Sequence, residues 1–357
     1  MISTSSTTAA ILQGGSFVQR IRVESWLAGV LLDGDIPIAA GAEDLDRSLR
    51  IPERITLSVP RYDRGTTYAP VDVDSPLAAN GQRLRVLYGV QGIGGQIEWI
   101  QRGWFVLAES DPSGDNVEVT GAGLTTLLDE AQLVSPFVPS GTLGTSLRKL
   151  IEPAITVDLT GAPTDRTAPA SLAIDDDRLQ GVFNILDAWA ADGYVTPAGV
   201  FTVVPSGQAS EVDVFITAAT TAVRAAGASS RDGTSTAIVV RGTATDGGQV
   251  QAVIYETTGA RPYGGPYNPL AVPFIFSSPL LTTAAQCAAA ALTVRERRRR
   301  ATGATLQVEA VPDPRLQLGD VARVQTDEYD VDGPIESLRL PYTPDGGPMV
   351  LGVRSLT

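Results

Sequence analysis

Arg54-Ile55-Thr56-Leu57-Ser58-Val59 places an apolar side chain at every second position. Successive side chains of a strand point to opposite faces, so Ile55, Leu57 and Val59 belong to a core and their polar neighbours to the other side. The same alternation recurs where Ile21 and Val23 sit among Arg20, Arg22 and Glu24, and where Val86 and Tyr88 sit among Arg83, Arg85 and Leu87. Ile97 and Trp99 follow the turn Gly92-Ile93-Gly94-Gly95; Trp104 to Ala108 and Val117 to Val119 follow turns expected at Gly103 and at Asp111 to Gly114. Strands at this spacing, joined by Gly-containing turns, predict a barrel or sandwich.

The period changes near Gly121. Leu124, Leu127 and Leu128, then Leu143, Leu147, Leu150 and Ile151, have helical spacing that Pro153 ends, giving two short helices that cap the first β domain. A loop at Gly161 to Ala173 precedes Asp175, Asp176 and Asp177, which suit the N-terminus of an amphipathic helix carrying Val182, Phe183, Ile185, Leu186 and Trp189. Gly193 is expected to stop that helix, and a hairpin follows from Tyr194 to Val204. The small-residue stretch Ala218 to Gly233 reads as a boundary. Strands are then expected at Ala237 to Arg241 and Val250 to Tyr255, with a turn at Asp246-Gly247-Gly248. Arg261 to Pro279 reads as a connection, and Thr282 or Thr283 as the cap of a long helix ending near Arg300. Strands resume at Leu306, Val321, Ile335 and Met349.

The expected layout is a polar arm over 1–15, a first β-barrel-like domain over 16–122, a mixed α/β domain over 123–233, and a second β domain with the long Ala/Arg-rich helix over 234–357. The fold class is β-rich α+β, two β-barrel-like domains flanking a mixed segment. A length of 357 residues suits two or three cores. Hydrophobic residues at 43% against 19% charged argue for a folded chain, and Gly 36 with Pro 24 for many turns. No basic and apolar leader opens the sequence, and the stretch from Ala284 to Val294 falls short of the roughly 20 apolar residues of a membrane span, so a soluble chain without membrane insertion is expected.

Charge and missing residue types bound the function. A net charge of -13 opposes general binding to phosphate backbones. The absence of histidine removes Ser-His and Cys-His nucleophile pairs and the usual zinc ligands, and the single Cys287, in an Ala-rich stretch, reads as a buried inert thiol. Carboxylate chemistry alone could use Glu98, Glu109, Glu118, Glu130 or Asp175 to Asp177, but these positions suit solvated strand faces and helix capping. Glu328, Asp330, Asp332 and Gly333 open like a calcium loop, yet Arg339 stands where the bidentate acid is required, so a turn at Asp332-Gly333 is the better account. Gly89 to Gly95 lacks the ending of a phosphate-binding loop and reads as a hairpin. Neither metal nor cofactor is expected. Arg295, Arg297, Arg298, Arg299 and Arg300 form the one basic cluster, which complements a helix C-terminus or forms a subunit interface with acidic groups.

Several segments, in order, resemble the tail hub proteins of siphophages, called minor tail proteins in phages of actinobacteria. They are the helix at Ile185 to Ala191 with the hairpin after Gly193; Ile238-Val239-Val240-Arg241-Gly242; Ser277-Ser278-Pro279-Leu280; the helix ending in arginines; and Val311-Pro312-Asp313-Pro314 followed by Leu318-Gly319-Asp320-Val321. The resemblance implies a ring-forming, non-enzymatic virion protein at the distal end of a tail: a homotrimer adapting a sixfold tube to a threefold tip. It also implies a distal tail protein or tube ring above, the tape measure within, and tip or fibre proteins below. DNA would pass through the lumen without specific binding, repelled by any Asp and Glu lining it. The hub of a contractile injection machine or gene-transfer particle shares the architecture. A different class, a carbohydrate-binding or carbohydrate-cleaving protein of the host-recognition apparatus, would use Trp99 and Trp104 as its platform.

Overall fold

The computed structural model describes residues 1–92, 94–112, 114–168, 174–206, 211–219, 221–228, 234–244, 246–258, 262–302 and 305–354; the side chains at 223, 296, 297 and 299–302 are outside that description. Parts of the expected 161–173 loop and 218–233 boundary therefore lie outside the described residues, as does Ile93 in the first expected turn.

The chain begins with α1 (Ser6–Gln13), β1 (Val18–Leu27), β2 (Val30–Asp33), β3 (Ala40–Asp46) and β4 (Glu53–Pro60). The short hairpin β5 (Tyr62–Asp63) and β6 (Thr66–Thr67) precedes β7 (Arg83–Gln91), β8 (Ile97–Asp111) and β9 (Asn116–Gly123). Next come α2 (Thr126–Glu130), α3 (Leu143–Ile151), β10 (Thr156–Asp158), α4 (Arg178–Trp189), β11 (Ala191–Val195), β12 (Val200–Pro205), β13 (Val214–Thr217) and β14 (Ala222–Ala228). The remainder holds β15 (Ala237–Thr243), β16 (Gln249–Tyr255), β17 (Pro273–Ser277), α5 (Ala284–Thr302), β18 (Thr305–Ala310), β19 (Val321–Gln325), β20 (Asp330–Pro341) and β21 (Met349–Arg354).

Two compact units divide the chain, and neither is contiguous. The first comprises Met1–Thr126, Ser210–Ser229 and Ala304–Thr357; the second comprises Leu127–Ala209 and Ser230–Gly303. In the first unit a 13-stranded sheet runs β14-β18-β21-β20-β3-β4-β9-β8-β7-β1-β2, with β19 on β20 and β13 on β19. Among the described residues it ends at β14, β13 and β2 without closing, so the strands of the expected first barrel-like domain and those of 304–357 are here one continuous sheet, while β15, β16 and β17 of the expected second β domain form a sheet of their own. The joining step is the antiparallel pairing of β20 with β3, which sets Leu338 opposite Leu45 and Arg339 opposite Asp44. A single register shift would turn the apolar set of β20 to solvent, and burial of Leu338 and Leu340 forbids it. One core results, a single cluster that holds Ile55, Leu57, Val86 and Val119 together with Val308, Leu338, Leu351 and Val353. Hence 234–357 is not one domain: 234–303 folds with the middle of the chain and 304–357 with its beginning.

The expected polar arm is a helix. Ser5 caps α1 by accepting from the Thr8 N–H at 3.2 Å, and its own N–H and hydroxyl donate to Glu98. Leu12 of the helix is buried in the core of the first unit.

The second unit packs α3 and α4 with the three-stranded sheet β10-β12-β11, and sets α5 on β15 and β16 of the sheet β16-β15-β17. Asp177 caps α4 by accepting from the Gln180 N–H at 2.8 Å, and Thr283 caps α5 by accepting from the Gln286 N–H at 3.2 Å, both at expected positions. Both short expected helices form, but α3 packs in the second unit rather than closing the first.

Other local expectations change. The α4 stop is Ala190 at φ 57°, while Gly193 lies within β11, where a Cβ would come within 2.6 Å of Phe201. Gly103 is inside β8, not in a turn. The turn expected at Asp332-Gly333 occurs instead at Thr326 to Tyr329; Asp332 is in β20 and pairs with Arg323. The boundary stretch contains β14, held on β18, and the connection contains β17, which pairs parallel with β15. These two segments lack alternation of their own and become strands because a partner supplies the ladder.

Candidate interaction surface

Alternation along β1, β7 and β8 separates two faces. Inward, Val23, Val86, Tyr88, Ile100 and Phe105 are buried in the core. Outward, the registers set Arg20, Gly89 and Trp99 in one row, Arg22, Leu87 and Gln101 in the next, Glu24, Arg85 and Trp104 in a third, and Trp26, Arg83 and Val106 in a fourth. The result is a layer of indole rings and guanidinium groups.

Its members are fixed to one another. The Trp26 and Trp104 rings meet edge to face with centroids 5.9 Å apart, Arg22 lies over Trp99 at 5.0 Å, and Arg85 over Trp104 at 5.7 Å. Glu24 ties the layer together: it accepts from the Trp26 indole N–H at 3.0 Å and from Arg85 at 3.3 Å, and pairs with Arg22 at 3.5 Å. Arg85 also donates to Gln101 at 2.6 Å. Leu87, although outward, is only 5% exposed beneath these groups, whereas Trp99 remains 36% exposed. Gly89 permits the approach of Trp99, since a Cβ there would stand 2.9 Å from both Trp99 and Arg20. With an arginine over Trp99 and another over Trp104, the platform that the carbohydrate-binding alternative would need is not an open pair of rings.

Beneath the layer, β8 carries a bulge, because Val86 pairs with Gly103 and Leu87 with Gln101, leaving Arg102 as the extra residue. Arg102 turns inward, 5% exposed, and donates to Glu43 from Nε at 2.8 Å and from Nη2 at 3.3 Å. Its Nη1 donates to the carbonyls of Leu316, at 2.9 Å, and Pro314. Burial opposes the charge of Arg102, but the Glu43 carboxylate, with smaller contributions from Tyr342 and Asp313, more than offsets it and holds the guanidinium protonated. Burial, then the charge of Glu43, pushes the Tyr342 phenol well above its ordinary range. Arg102 thereby ties the first and last segments of the chain within one core. The break of alternation across Gln101-Arg102-Gly103 was its only sign in the sequence.

The outward face of β20, β3, β4 and β9 is polar. Arg339 donates to both Asp44 oxygens at 2.8 Å, Ser58 donates to Glu118 at 2.7 Å, and Arg54, Thr56 and Thr120 are exposed.

The sequence-selected residues are dispersed. Arg295 pairs with Glu256 at 2.8 Å, and Arg298 lies 4.3 Å over the Phe274 ring, so both engage the sheet of their own unit; the side chains of Arg297, Arg299 and Arg300 lie outside the described residues. Glu98 is held below the usual carboxylate range by hydrogen bonds from Ser5 and Thr8, consistent with a capping role. Asp175, Asp176 and Asp177 border a cavity of about 240 Å³ with Asn184, Ser278 and Leu280, and Asp177 is the α4 cap. Gly89 and Gln91 lie in the β7–β8 hairpin, as expected. Cys287 is buried, and burial pushes its thiol up. Among the described residues no group of three or more His, Cys, Asp or Glu could hold a metal ion.

No family model and no curated protein matches the chain. Solved structures do. A tail protein from Neisseria meningitidis MC58 aligns at TM-score 0.66 and 14% identity, covering 94% of this chain and 97% of its own. The 43 kDa tail protein of prophage MuSo2 from Shewanella oneidensis aligns at 0.62 and 14%, covering 93% and 98%. Prophage tail protein gp18 from Listeria monocytogenes EGD-e aligns at 0.54 and 9%, covering 95% of each chain. At these identities the likeness is one of fold: the chain is built on the same plan as these three tail proteins through nearly its whole length.

Proposed function

We propose that this chain is a non-enzymatic structural protein of a phage-type tail, acting as a homotrimeric hub at the distal end. In this reading it joins the tube or distal tail protein to the tip or fibre proteins and surrounds the channel through which DNA leaves. The observation that carries it is the correspondence of fold with three tail proteins over 93 to 95% of the chain. The open sheet of the first unit supports it, because edge strands such as β2, β13 and β14, which have one partner each among the described residues, are surfaces that an assembly can cover. The absence of histidine and the engagement of Glu98 and Asp177 in capping support a role without catalysis.

Gold-labelled antibody against the chain, applied to purified tailed particles, tests the location. Label at the distal tail is expected. Particles that lack the chain, or carry it only on the capsid, overturn the reading. Light scattering paired with negative-stain images tests the trimer, with a threefold mass and a central hole as the expected result.

A further inference from the structure

The tryptophan and arginine layer on β1, β7 and β8 has the composition that concentrates binding energy at protein interfaces, with aromatic rings already held in place. Arg20 is exposed, and Arg22, Arg83 and Arg85 are half-buried around it, with Glu24 placed among them and largely enclosed. The face therefore suits a surface of opposite charge that also presents small apolar groups.

The same unit displays such a surface. In Pro70-Val71-Asp72-Val73-Asp74 the two valines are 68% and 67% exposed, and both aspartates are exposed. This loop is anchored from below: Gln82, fully buried, donates to the carbonyls of Val73 at 2.7 Å and Ser75 at 3.0 Å. Ser25, also fully buried, donates to the Pro76 carbonyl at 2.6 Å, and the Asp72 N–H donates to the Ser75 hydroxyl at 3.0 Å. An anchored loop loses little conformational freedom on docking.

We propose that the Trp and Arg face receives the Pro70-to-Asp74 loop of a second copy of this chain, the aspartates meeting Arg20 and Arg22 and the valines covering Trp99. Because face and loop are different surfaces, the contact is heterologous, the kind that builds a ring when the rotation between copies closes. The proposal rests on the ring-forming reading above and assigns the residues that make the ring.

Sedimentation equilibrium of the full chain, up to about 100 µM, tests it with two charge reversals, D72R/D74R in the exposed loop and R20E/R22E on the face. Each is expected to weaken self-association at least about tenfold, with the circular dichroism spectrum unchanged, and the four substitutions together to restore most of the loss. Wild-type association by folded D72R/D74R overturns the inference and leaves the hub reading standing. Failure of the combined variant to recover also overturns it, as does a wild-type chain that remains monomeric at the highest concentration. The gold-labelling result judges the tail reading independently of all three.

Discussion

Arg102 shows how much one side chain can decide. A buried guanidinium is tolerable here because Glu43 and two carbonyls take its donors, and removing it strands a carboxylate that is 2% exposed. Arg102→Met should cost about 3 to 5 kcal/mol in urea unfolding, while R102M/E43M recovers much of that, because two apolar groups leave no buried charge. Equal losses in the single and double variants would show that shape, not charge pairing, sets the cost. Glu53 behaves in the opposite sense. Burial raises its carboxyl from 4.5 to about 7, and its Oε2 is enclosed without a hydrogen-bond partner. With the folded value above the unfolded one, its contribution is fully present below pH 4.5 and is lost as pH rises through about 7. Melting temperatures between pH 4.5 and 8 should therefore decline less in E53Q than in the wild type. Parallel declines would reject the assignment.

At the scale of elements, agreement between sequence and structure follows how local the cause is. The strands from Ile55, Val86 and Val117 carry their alternation within a few residues, and the caps at Asp177 and Thr283 lie next to the helices they start; all were legible. β14 and β17 were not, because Ala222 to Ala228 and Pro273 to Ser277 depend on β18 and β15 for their form. The α1 helix was missed because Ser and Thr dominate its start, although Ser5 is a good cap and Leu12 an anchor. Ser5→Ala should lower stability by about 1 kcal/mol, read from the urea midpoint, since it removes both the cap and a hydroxyl bond to Glu98. In β15, Gly242 faces the Leu281 backbone so closely that a Cβ would lie 2.0 Å from its carbonyl oxygen. Gly242→Ala should cost about 3 kcal/mol or more, because backbone must move. A thermal midpoint within a degree of wild type would mean the approach is softer than the geometry implies.

For the whole molecule, the decisive event is the return of the chain to its own beginning. Arg339 and Asp44 are 295 positions apart and share a hydrogen-bonded pair on adjacent strands. The expected fragment 234–357 should accordingly be unfolded by circular dichroism, since 304–357 would lack β3 and 234–303 would lack its partners in the second unit. Fragment 127–303 should fold, carrying 210–229 as an insertion. Cooperative unfolding of isolated 234–357 would contradict the division. The candidate surface was partly visible at this scale: Trp99, Trp104 and the flanking arginines could be named from the sequence, but not their convergence into one layer.

The sequence alone determined a β-rich chain with helices in the middle and before the last strands, without histidine chemistry, because period, capping and composition act within a turn or a few residues. The tertiary structure alone decided which strands are neighbours, that the two ends share one sheet, that Arg102 is buried against Glu43, and that indoles and guanidinium groups meet on one face. Those outcomes depend on pairing between distant segments, where burial of each apolar face selects the register and no local pattern records the partner.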